Sequence, residues 1–280
     1  MNKFKVAVAQ TACCDDMEKN YLGAERMIAE AAEQGALLIV FPEVMNYVGV
    51  PDKKSYERIP EGECCRRLSA AAKQHGIWVN IGSIREINPA DPDGKPYNTS
   101  VLFSPKGELV AKYRKLHLSD MQVSRDKAPV LESDRIAPGN EIVVADTDLG
   151  KIGMSICYDL RFPEMYRLMS EKGARIICHP ASFSATTGAA HWEILLRSIA
   201  VLNHCYVLAS NHCGARADGT AKKWGHSMII DPWGTVIAEA GFDREALLIS
   251  EIDLDYCDDL QGRLGCMNNR RTDIYSLKEL

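Results

Sequence analysis

Three side chains in this sequence carry the groups that hydrolysis of an amide needs: a thiol, a carboxylate and an ammonium. The thiol belongs to Cys157, which follows a short apolar run and precedes a helix that Pro163 can begin. A nucleophile at such a strand-to-helix turn stands clear of the sheet, close to backbone N–H groups that can receive an oxyanion. Taken alone, Cys157 is more typical of a buried structural thiol, the commonest state of free cysteine.

The carboxylate belongs to Glu43, which follows the apolar run 36–41 after Pro42. Ligand crevices of open α/β sheets lie at the carboxyl ends of strands. Burial beside apolar neighbours raises the pKa of a carboxyl group toward the range of a general base, so we expect a raised pKa for Glu43. From this segment alone, a solvated loop glutamate is the ordinary alternative.

The ammonium belongs to Lys115, which follows a predicted strand at 108–113. An ammonium beside a thiol lowers the thiol pKa and can bind an oxyanion, although Arg114, Lys115 and His117 alone are also typical of a basic surface patch. Together the three groups satisfy amide hydrolysis, which needs a deprotonated thiol, a stabilised oxyanion and a proton for the leaving amine. Glu132, judged by itself, is a solvated loop acid.

The elements that must position these side chains alternate along the chain. Alternating or continuous apolar runs predict strands at 4–10, 36–41, 77–83, 98–104, 108–113, 152–156, 175–179, 205–211, 226–231, 235–238 and 246–253. Three- and four-residue apolar spacing predicts helices at 18–34, 63–75, 163–173 and 187–203, with Asp15 and Thr187 as N-caps of the first and last. This order favours one mixed sheet, or two packed sheets, with helices outside.

Composition excludes several classes of function. The chain has 280 residues and a formal net charge of -5, whereas nucleic-acid binding needs concentrated lysine and arginine. No run approaches the ~18 apolar residues of a membrane helix, and no signal peptide is evident. Ten cysteines are too few for a disulfide scaffold. We therefore expect one domain over residues 1–280, reduced thiols and a cytoplasmic location.

The sequence around these residues resembles the nitrilase superfamily of carbon–nitrogen hydrolases. The motifs that carry the likeness are 6–10 (VAVAQ), 41–43 (FPE), 114–118 (RKLHL), 155–164 (SICYDLRFPE), 179–183 (HPASF), 188–193 (GAAHWE), 224–227 (WGHS) and 231–234 (DPWG). The resemblance implies a four-layer α–β–β–α sandwich, assembled as a homodimer or larger. It also implies Glu43 as general base, Lys115 as oxyanion stabiliser, Cys157 as nucleophile and Glu132 as a second glutamate that helps to position the substrate.

The residues after the cysteine indicate an amidase branch of this family. Nitrilases tend to carry Trp and Glu where Tyr158 and Asp159 stand. Carbamoyl-amino-acid hydrolases tend toward Asn-Asp-Arg-Arg, and Leu160 departs from that pattern. The segment looks most like ω-amidase and deaminated-glutathione amidase, which act on small amides of carboxylic acids without a cofactor or metal. We expect the Tyr158 N–H and the Lys115 ammonium to stabilise the oxyanion together.

Further residues are candidates for contacting such a small-molecule amide. They are Arg161, Phe183 and Thr187. For Arg161 a structural ion pair with Asp159 or Glu164 is the favoured alternative, because its guanidinium suits any carboxylate.

Three other functions stay open on the residues alone. The first is a Cys–His hydrolase that uses Cys157 with His179 or His191. The second is the same catalytic set acting on a carbamoyl group or a nitrile, and the third is a catalytically silent scaffold. A zinc site from the pairs at 204–205 and 212–213 is rejected, because a strand of eight residues separates them by roughly 26 Å. The adjacent cysteines at 13–14 and 64–65 lack zinc-knuckle spacing.

Overall fold

The computed structural model describes residues 2–12, 14–49, 52–122, 129–215, 219 and 222–280. The strands in these ranges are β1 (Lys3–Ala12), β2 (Ala36–Val40), β3 (Trp78–Asn80), β4 (Ile84–Glu86), β5 (Tyr97–Phe103), β6 (Leu109–Arg114), β7 (Val144–Thr147), β8 (Gly150–Met154), β9 (Ile176–Ala181), β10 (Tyr206–Cys213), β11 (Met228–Ile230), β12 (Val236–Glu239) and β13 (Ala246–Asp253). The helices are α1 (Met17–Glu33), α2 (Glu63–His75), α3 (Pro163–Glu171), α4 (Ala185–Asn203) and α5 (Leu254–Leu264). None of these helices is long and apolar enough to cross a bilayer.

The strands form two mixed halves that meet at one short seam. In the first half β1, β2 and β3 pair in parallel, β13 runs antiparallel to β1, and β4, β5 and β6 form an antiparallel edge. In the second half β8, β9 and β10 are parallel, with β7, β11 and β12 added antiparallel. The seam pairs Thr11 and Ala12 of β1 with His212 and Cys213 of β10.

Alternation along β1 shows how the layers are stacked. Ala7 and Ala9 lie in the core shared with α1 and α2, whereas Val6 and Val8 lie in the core shared with the second half. Helices α3 and α4 pack against β8, β10 and β11 of the second half. The chain is therefore a single-domain α–β–β–α sandwich, which confirms the predicted fold class.

Two predicted helix caps are wrong by one and three residues. Asp16, rather than Asp15, accepts a hydrogen bond from the Lys19 N–H at 3.1 Å. Ser184, rather than Thr187, caps α4, and the Thr187 N–H donates to Ser184 Oγ at 3.3 Å. In both cases a residue with capping chemistry stood close to the true cap, so composition alone did not decide between them.

The predicted strand at 77–83 ends early, at Asn80, for a visible steric reason. Gly82 has a φ of +72° and lies so close to Pro42 that a Cβ there would be 1.9 Å from the Pro42 carbonyl oxygen. Only glycine fits this approach. The segments at Gly82 and at Pro42 therefore lie in close contact just after β2, directly before Glu43.

Candidate active site

Glu43 is held at the junction of the two halves of the sandwich. Its N–H donates to the Ala181 carbonyl oxygen of β9 at 3.3 Å, and its own carbonyl oxygen lies 2.7 Å from His212 Nε2 of β10. The Asn98 side-chain amide donates to Glu43 Oε1 at 2.9 Å. The residue is buried, so the interpretation of Glu43 as a solvated loop acid is wrong.

Lys115 lies between two carboxylates just beyond the end of β6. Its Nζ is 3.0 Å from Glu43 Oε1 and 2.9 Å from Glu132 Oε2, and its side chain is 2% exposed. The Lys115 N–H donates to the Asn98 carbonyl oxygen at 2.8 Å, which fixes the backbone. Lys115 is therefore a buried ammonium, and the interpretation as a surface patch does not apply to it.

Glu132 lies in a 3₁₀ turn (Glu132–Asp134) that approaches the lysine from the opposite side. Besides Lys115 it accepts a hydrogen bond from the Ser119 N–H at 2.7 Å, and only 19% of its side chain is exposed. The prediction of a solvated acid is wrong. The structure brings Glu132 next to the ammonium, where the family resemblance placed it.

Cys157 begins a 3₁₀ turn just after strand β8 of the second half, with a left-handed φ of +48°. This conformation is unfavourable for a residue with a side chain, so the turn must be held by its surroundings. The buried Asp159 carboxylate does this. It accepts hydrogen bonds from the Ile156 N–H at 2.8 Å, the Tyr113 hydroxyl at 2.7 Å and the His117 N–H at 3.1 Å, and His117 Nδ1 lies 2.8 Å away.

The turn presents the Cys157 thiol to Glu43. The thiol hydrogen-bonds to the Glu43 carboxylate, and the Ser182 N–H donates to the sulfur. Cys157 is partly exposed to the cavity described below. The N–H of Tyr158, the second residue of the turn, is among those that a helical turn leaves without an internal partner. A carboxylate, a thiol and an ammonium separated by more than a hundred residues of sequence thus meet in one place.

The charge state of Glu43 is set by two opposing effects. Burial raises the pKa of Glu43, but the charge and hydrogen bond of Lys115, the hydrogen bond from the Cys157 thiol and the charge of Lys223 together lower it below the usual value. The predicted raised pKa is therefore wrong in direction. The reason is that desolvation was considered without the ammonium that accompanies it.

The pKa values of the Cys157 thiol and of the Lys115 ammonium are raised, in contrast to that of Glu43. Burial and the Glu43 charge raise the pKa of Cys157, and Lys115 only partly offsets them. Burial lowers the pKa of Lys115, but Glu43, Glu132 and Cys157 outweigh it and raise the pKa. Lys115 lowers the thiol pKa in the expected direction, but burial and Glu43 outweigh it. The resting site holds a neutral thiol beside a carboxylate and an ammonium.

These groups open onto a cavity of 430 Å³, within the range of small-ligand sites. Lys223 also lines the cavity and is buried, with 7% of its surface exposed. Its Nζ donates to the Ser182 carbonyl oxygen at 3.0 Å. The sequence analysis missed Lys223. It stands in a Lys222–Lys223 doublet, which is typical of a solvated surface, and no local pattern distinguishes it.

The three predicted substrate-contacting residues, Arg161, Phe183 and Thr187, all line the cavity. The Arg161 guanidinium lies over the Tyr158 and Phe183 rings, 5.6 and 5.9 Å from their centroids, and Nη2 is 3.3 Å from His191 Nδ1. The favoured ion pair with Asp159 or Glu164 is wrong. The Asp159 oxygens are already occupied by donors of the turn and of the neighbouring strand end.

The histidine candidates for a Cys–His hydrolase have other contacts. His179 Nδ1 lies 2.8 Å from Ser155 Oγ and 3.2 Å from the Tyr166 hydroxyl, and burial lowers the His179 pKa to about 4. His191 contacts Arg161. The titratable groups beside the thiol are instead Glu43 and Lys115.

The two histidine–cysteine pairs rejected as a zinc site, 204–205 and 212–213, lie at opposite ends of one strand. The strand predicted to separate 204–205 from 212–213 is β10. Cys13 lies outside the described residues, and within them no group of three or more metal-ligating side chains is positioned to hold an ion.

A thiol beside a buried carboxylate, with an ammonium next to both, on an α–β–β–α sandwich, is the arrangement that suits a hydrolase with a thiol nucleophile. The carbon–nitrogen hydrolase family matches residues 5–261. The chain is 40% identical over 282 residues to omega-amidase NIT2 of Xenopus tropicalis, covering 100% of this chain and 99% of that one. It is 36% identical over 275 residues to deaminated glutathione amidase of Homo sapiens, covering 96% and 83%.

Solved structures agree with this assignment. The Caenorhabditis elegans NitFhit protein superposes with a TM-score of 0.91 at 34% identity, over 99% of this chain and 67% of that one. A mutant amidase of Nesterenkonia sp. AN1, with a TM-score of 0.76 at 26% identity over 95% and 97%, shows covalent addition of the acetamide moiety of fluoroacetamide at its active-site cysteine. This chain therefore belongs to the carbon–nitrogen hydrolase family. It is an amidase that acts on carbon–nitrogen bonds.

Proposed function

We propose that this amidase cleaves the terminal amide of a small carboxylic acid and releases ammonia through a thioester on Cys157. The observation that carries the proposal is the contact of one carboxylate, Glu43, with both the Cys157 thiol and the Lys115 ammonium on the cavity wall. The names of two relatives support an amide as the substrate: one is an omega-amidase and the other a deaminated glutathione amidase.

The first half-reaction forms the thioester. Because the resting thiol is neutral, Glu43 takes its proton as the sulfur attacks the amide carbon, rather than beforehand. Lys115 and the Tyr158 N–H stabilise the oxyanion. The protonated Glu43 then delivers its proton to the departing nitrogen, the carbon–nitrogen bond breaks, and ammonia leaves.

The second half-reaction returns the enzyme to its resting state. Glu43, again ionised, takes a proton from a water molecule that attacks the thioester carbonyl carbon. The carbon–sulfur bond breaks, the acid leaves, and the Cys157 sulfur recovers a proton. Glu132 acts through the ammonium. Its contact with Lys115 keeps the ammonium charged and fixed in direction throughout both steps.

Arg161 supplies the charge that selects a carboxylic acid. It lines the cavity and makes cation–π contacts with Tyr158 and Phe183 rather than an ion pair with an acid. It therefore offers a guanidinium to the carboxylate at the far end of the substrate. Thr187, near the start of α4, lines the same region. The homodimer or larger assembly, the cytoplasmic location and the absence of a cofactor stay predictions.

The test measures ammonia release from succinamate, 2-oxoglutaramate, carbamoyl-β-alanine and a simple nitrile. We expect the two ω-amides to be preferred. Preference for the carbamoyl compound or the nitrile would support those alternatives with the same catalytic set. No turnover of any compound, with no covalent mass on Cys157, would indicate a silent scaffold and refute the proposal.

Substitution of the base separates its role from binding. Glu43→Gln keeps the shape of the side chain but cannot accept the thiol proton, so acylation should fall by at least about 100-fold. Intact-protein mass spectrometry after mixing with succinamate should show no thioester, and Cys157→Ala is the matched control. Normal turnover by Glu43→Gln would show that the base is assigned wrongly.

A further inference from the structure

Asn98, the second residue of β5, contacts both the general base and the lysine of the site. Its side-chain Nδ2 donates to Glu43 Oε1 at 2.9 Å, and its carbonyl oxygen accepts the Lys115 N–H at 2.8 Å. The residue is 3% exposed and lines the cavity. A neutral amide is thus built into the wall beside the carboxylate that moves the proton.

The two carboxylate oxygens of Glu43 have different surroundings. Oε1 accepts two hydrogen bonds, from Asn98 Nδ2 and, at 3.0 Å, from Lys115 Nζ. In the described ranges of the chain, both side-chain N–H donors to this carboxylate reach Oε1 and neither reaches Oε2. A proton on Oε1 would have to displace one of these donors, since each occupies a lone pair of that oxygen. Oε2 is therefore the oxygen left for the thiol proton.

The other end of the Asn98 amide has no hydrogen-bond donor among the described residues, because Oδ1 is buried and unpaired. An unpaired buried acceptor is costly to the fold. The reverse orientation of the amide would place Oδ1 against an ionised oxygen, so Glu43 alone fixes the side chain. Asn80 on β3 gives the contrast: its Nδ2 donates to Ser100 Oγ at 3.2 Å, and its Oδ1 accepts the Gly82 N–H at 3.0 Å. Asn80 is a satisfied structural amide, whereas Asn98 is satisfied only toward the base.

We propose that Asn98 is a positioning residue for the amidase reaction. Together with Lys115 it keeps Glu43 Oε1 as a hydrogen-bond acceptor, so that Oε2 takes the Cys157 proton and passes it to the leaving nitrogen. This inference rests on the proposed function and adds to it the atom that carries the proton. The Asn98 N–H also favours the ionised form of Glu43, as a hydrogen bond to a carboxylate does.

The experiment measures kcat/KM for ammonia release from succinamate as a function of pH. Asn98→Leu keeps the shape of the side chain but removes the donor, so the acidic limb of the profile should move to higher pH by about 1 unit or more. Asn98→Asp should move the limb farther, because it adds a like charge beside Glu43. Above the limb, the leucine variant should recover to within about 10-fold of the wild-type value.

Asn80→Leu is the matched control, because Asn80 is equally buried but lies away from the cavity wall. This variant should lose two satisfied hydrogen bonds and show the lower Tm, with its acidic limb in place. Asn98→Leu should keep its Tm within about 4 °C of wild type, because it also removes the unpaired Oδ1.

A crystal structure of Cys157→Ala with succinamate tests the oxygen itself. The leaving nitrogen should lie about 2.6–3.2 Å from Glu43 Oε2, and contact with Oε1 instead would overturn the inference. An unmoved limb in Asn98→Leu, or an equal shift in Asn80→Leu, would overturn it as well, and the proposed function would then stand alone. If the wild type releases no ammonia from succinamate, the proposed function fails and this inference fails with it.

Discussion

Replacement of Lys115 by methionine is the most informative single change, because it acts on stability and catalysis through one charge. Methionine fills much of the same volume but leaves the carboxylates of Glu43 and Glu132 facing each other without the ammonium between them. In the native chain each carboxylate lies about 3 Å from Nζ.

The size of the effect follows from these distances and from burial. At 3.0 Å and an effective dielectric constant of about 20, one such pair is worth about 5 kcal/mol before desolvation is subtracted. Desolvation offsets much of this gain, and removal of one partner of a buried ion pair costs about 3–5 kcal/mol. Because domains are stable by only about 5–15 kcal/mol, the variant should be folded but clearly weakened.

The loss of stability should depend on pH in a definite direction. In the native chain the pKa of Glu43 is lowered, so its ionised form stabilises the fold above the unfolded pKa of about 4.3, and this is lost as pH falls through the folded pKa. Without Lys115, burial raises the pKa of Glu43 instead, and the ionised form becomes destabilising. The deficit should therefore be larger at about pH 8 than at about pH 5.

Urea unfolding followed by circular dichroism at both pH values measures the deficit, and ammonia release from succinamate measures catalysis. We expect at least a 100-fold loss of kcat/KM, from the missing oxyanion charge. The double variant Lys115→Met/Glu132→Gln is the control: it should regain stability without regaining activity. An unfolding midpoint equal to wild type at both pH values would refute the reasoning, as would normal turnover.

Two further predictions concern residues around the catalytic set. Lys223→Met removes a positive charge that lowers the pKa of Glu43, so the acidic limb of the kcat/KM–pH profile should move to higher pH, whereas Lys223→Arg should leave it in place; an unmoved limb in the methionine variant would contradict this. Asp159→Asn leaves at least one donor of the turn unpaired, which should cost about 1–3 kcal/mol in thermal unfolding and lower kcat. Unchanged Tm and kcat would show that Asp159 does not hold the turn.

The long elements could be predicted from the sequence because their periodicity is strong. Helix α2 and strand β13 have the predicted bounds, and the predicted strand and helix on either side of Cys157 are present. Strands β4 and β7 were missed because charged residues, Arg85 and Asp146, interrupt them, whereas the equally short β3 and β11 lie in apolar runs. Helix α5 was missed because no local signal set it apart from the strand that it directly follows.

The residues of the candidate site could be predicted from the sequence, but the directions of their pKa shifts could not. Each of Glu43, Lys115 and Cys157 stands at the end of a predicted strand, and family motifs singled them out. Their pKa directions depend on which charges face one another across the fold, and the sequence does not contain that information. The same holds for Arg161, whose partner proved to be aromatic, and for Lys223, which only tertiary structure brings to the cavity.

The carboxylate of Glu43 belongs to one half of the sandwich and the sulfur of Cys157 to the other, and the Glu43 backbone is tied to that other half through Ala181 and His212. Amidase activity therefore requires that the two halves stay packed against each other. A partly melted species that keeps either half intact would retain much of its circular dichroism and none of its amidase activity. Loss of rate should accordingly precede, or at the latest coincide with, loss of secondary structure as the molecule is heated.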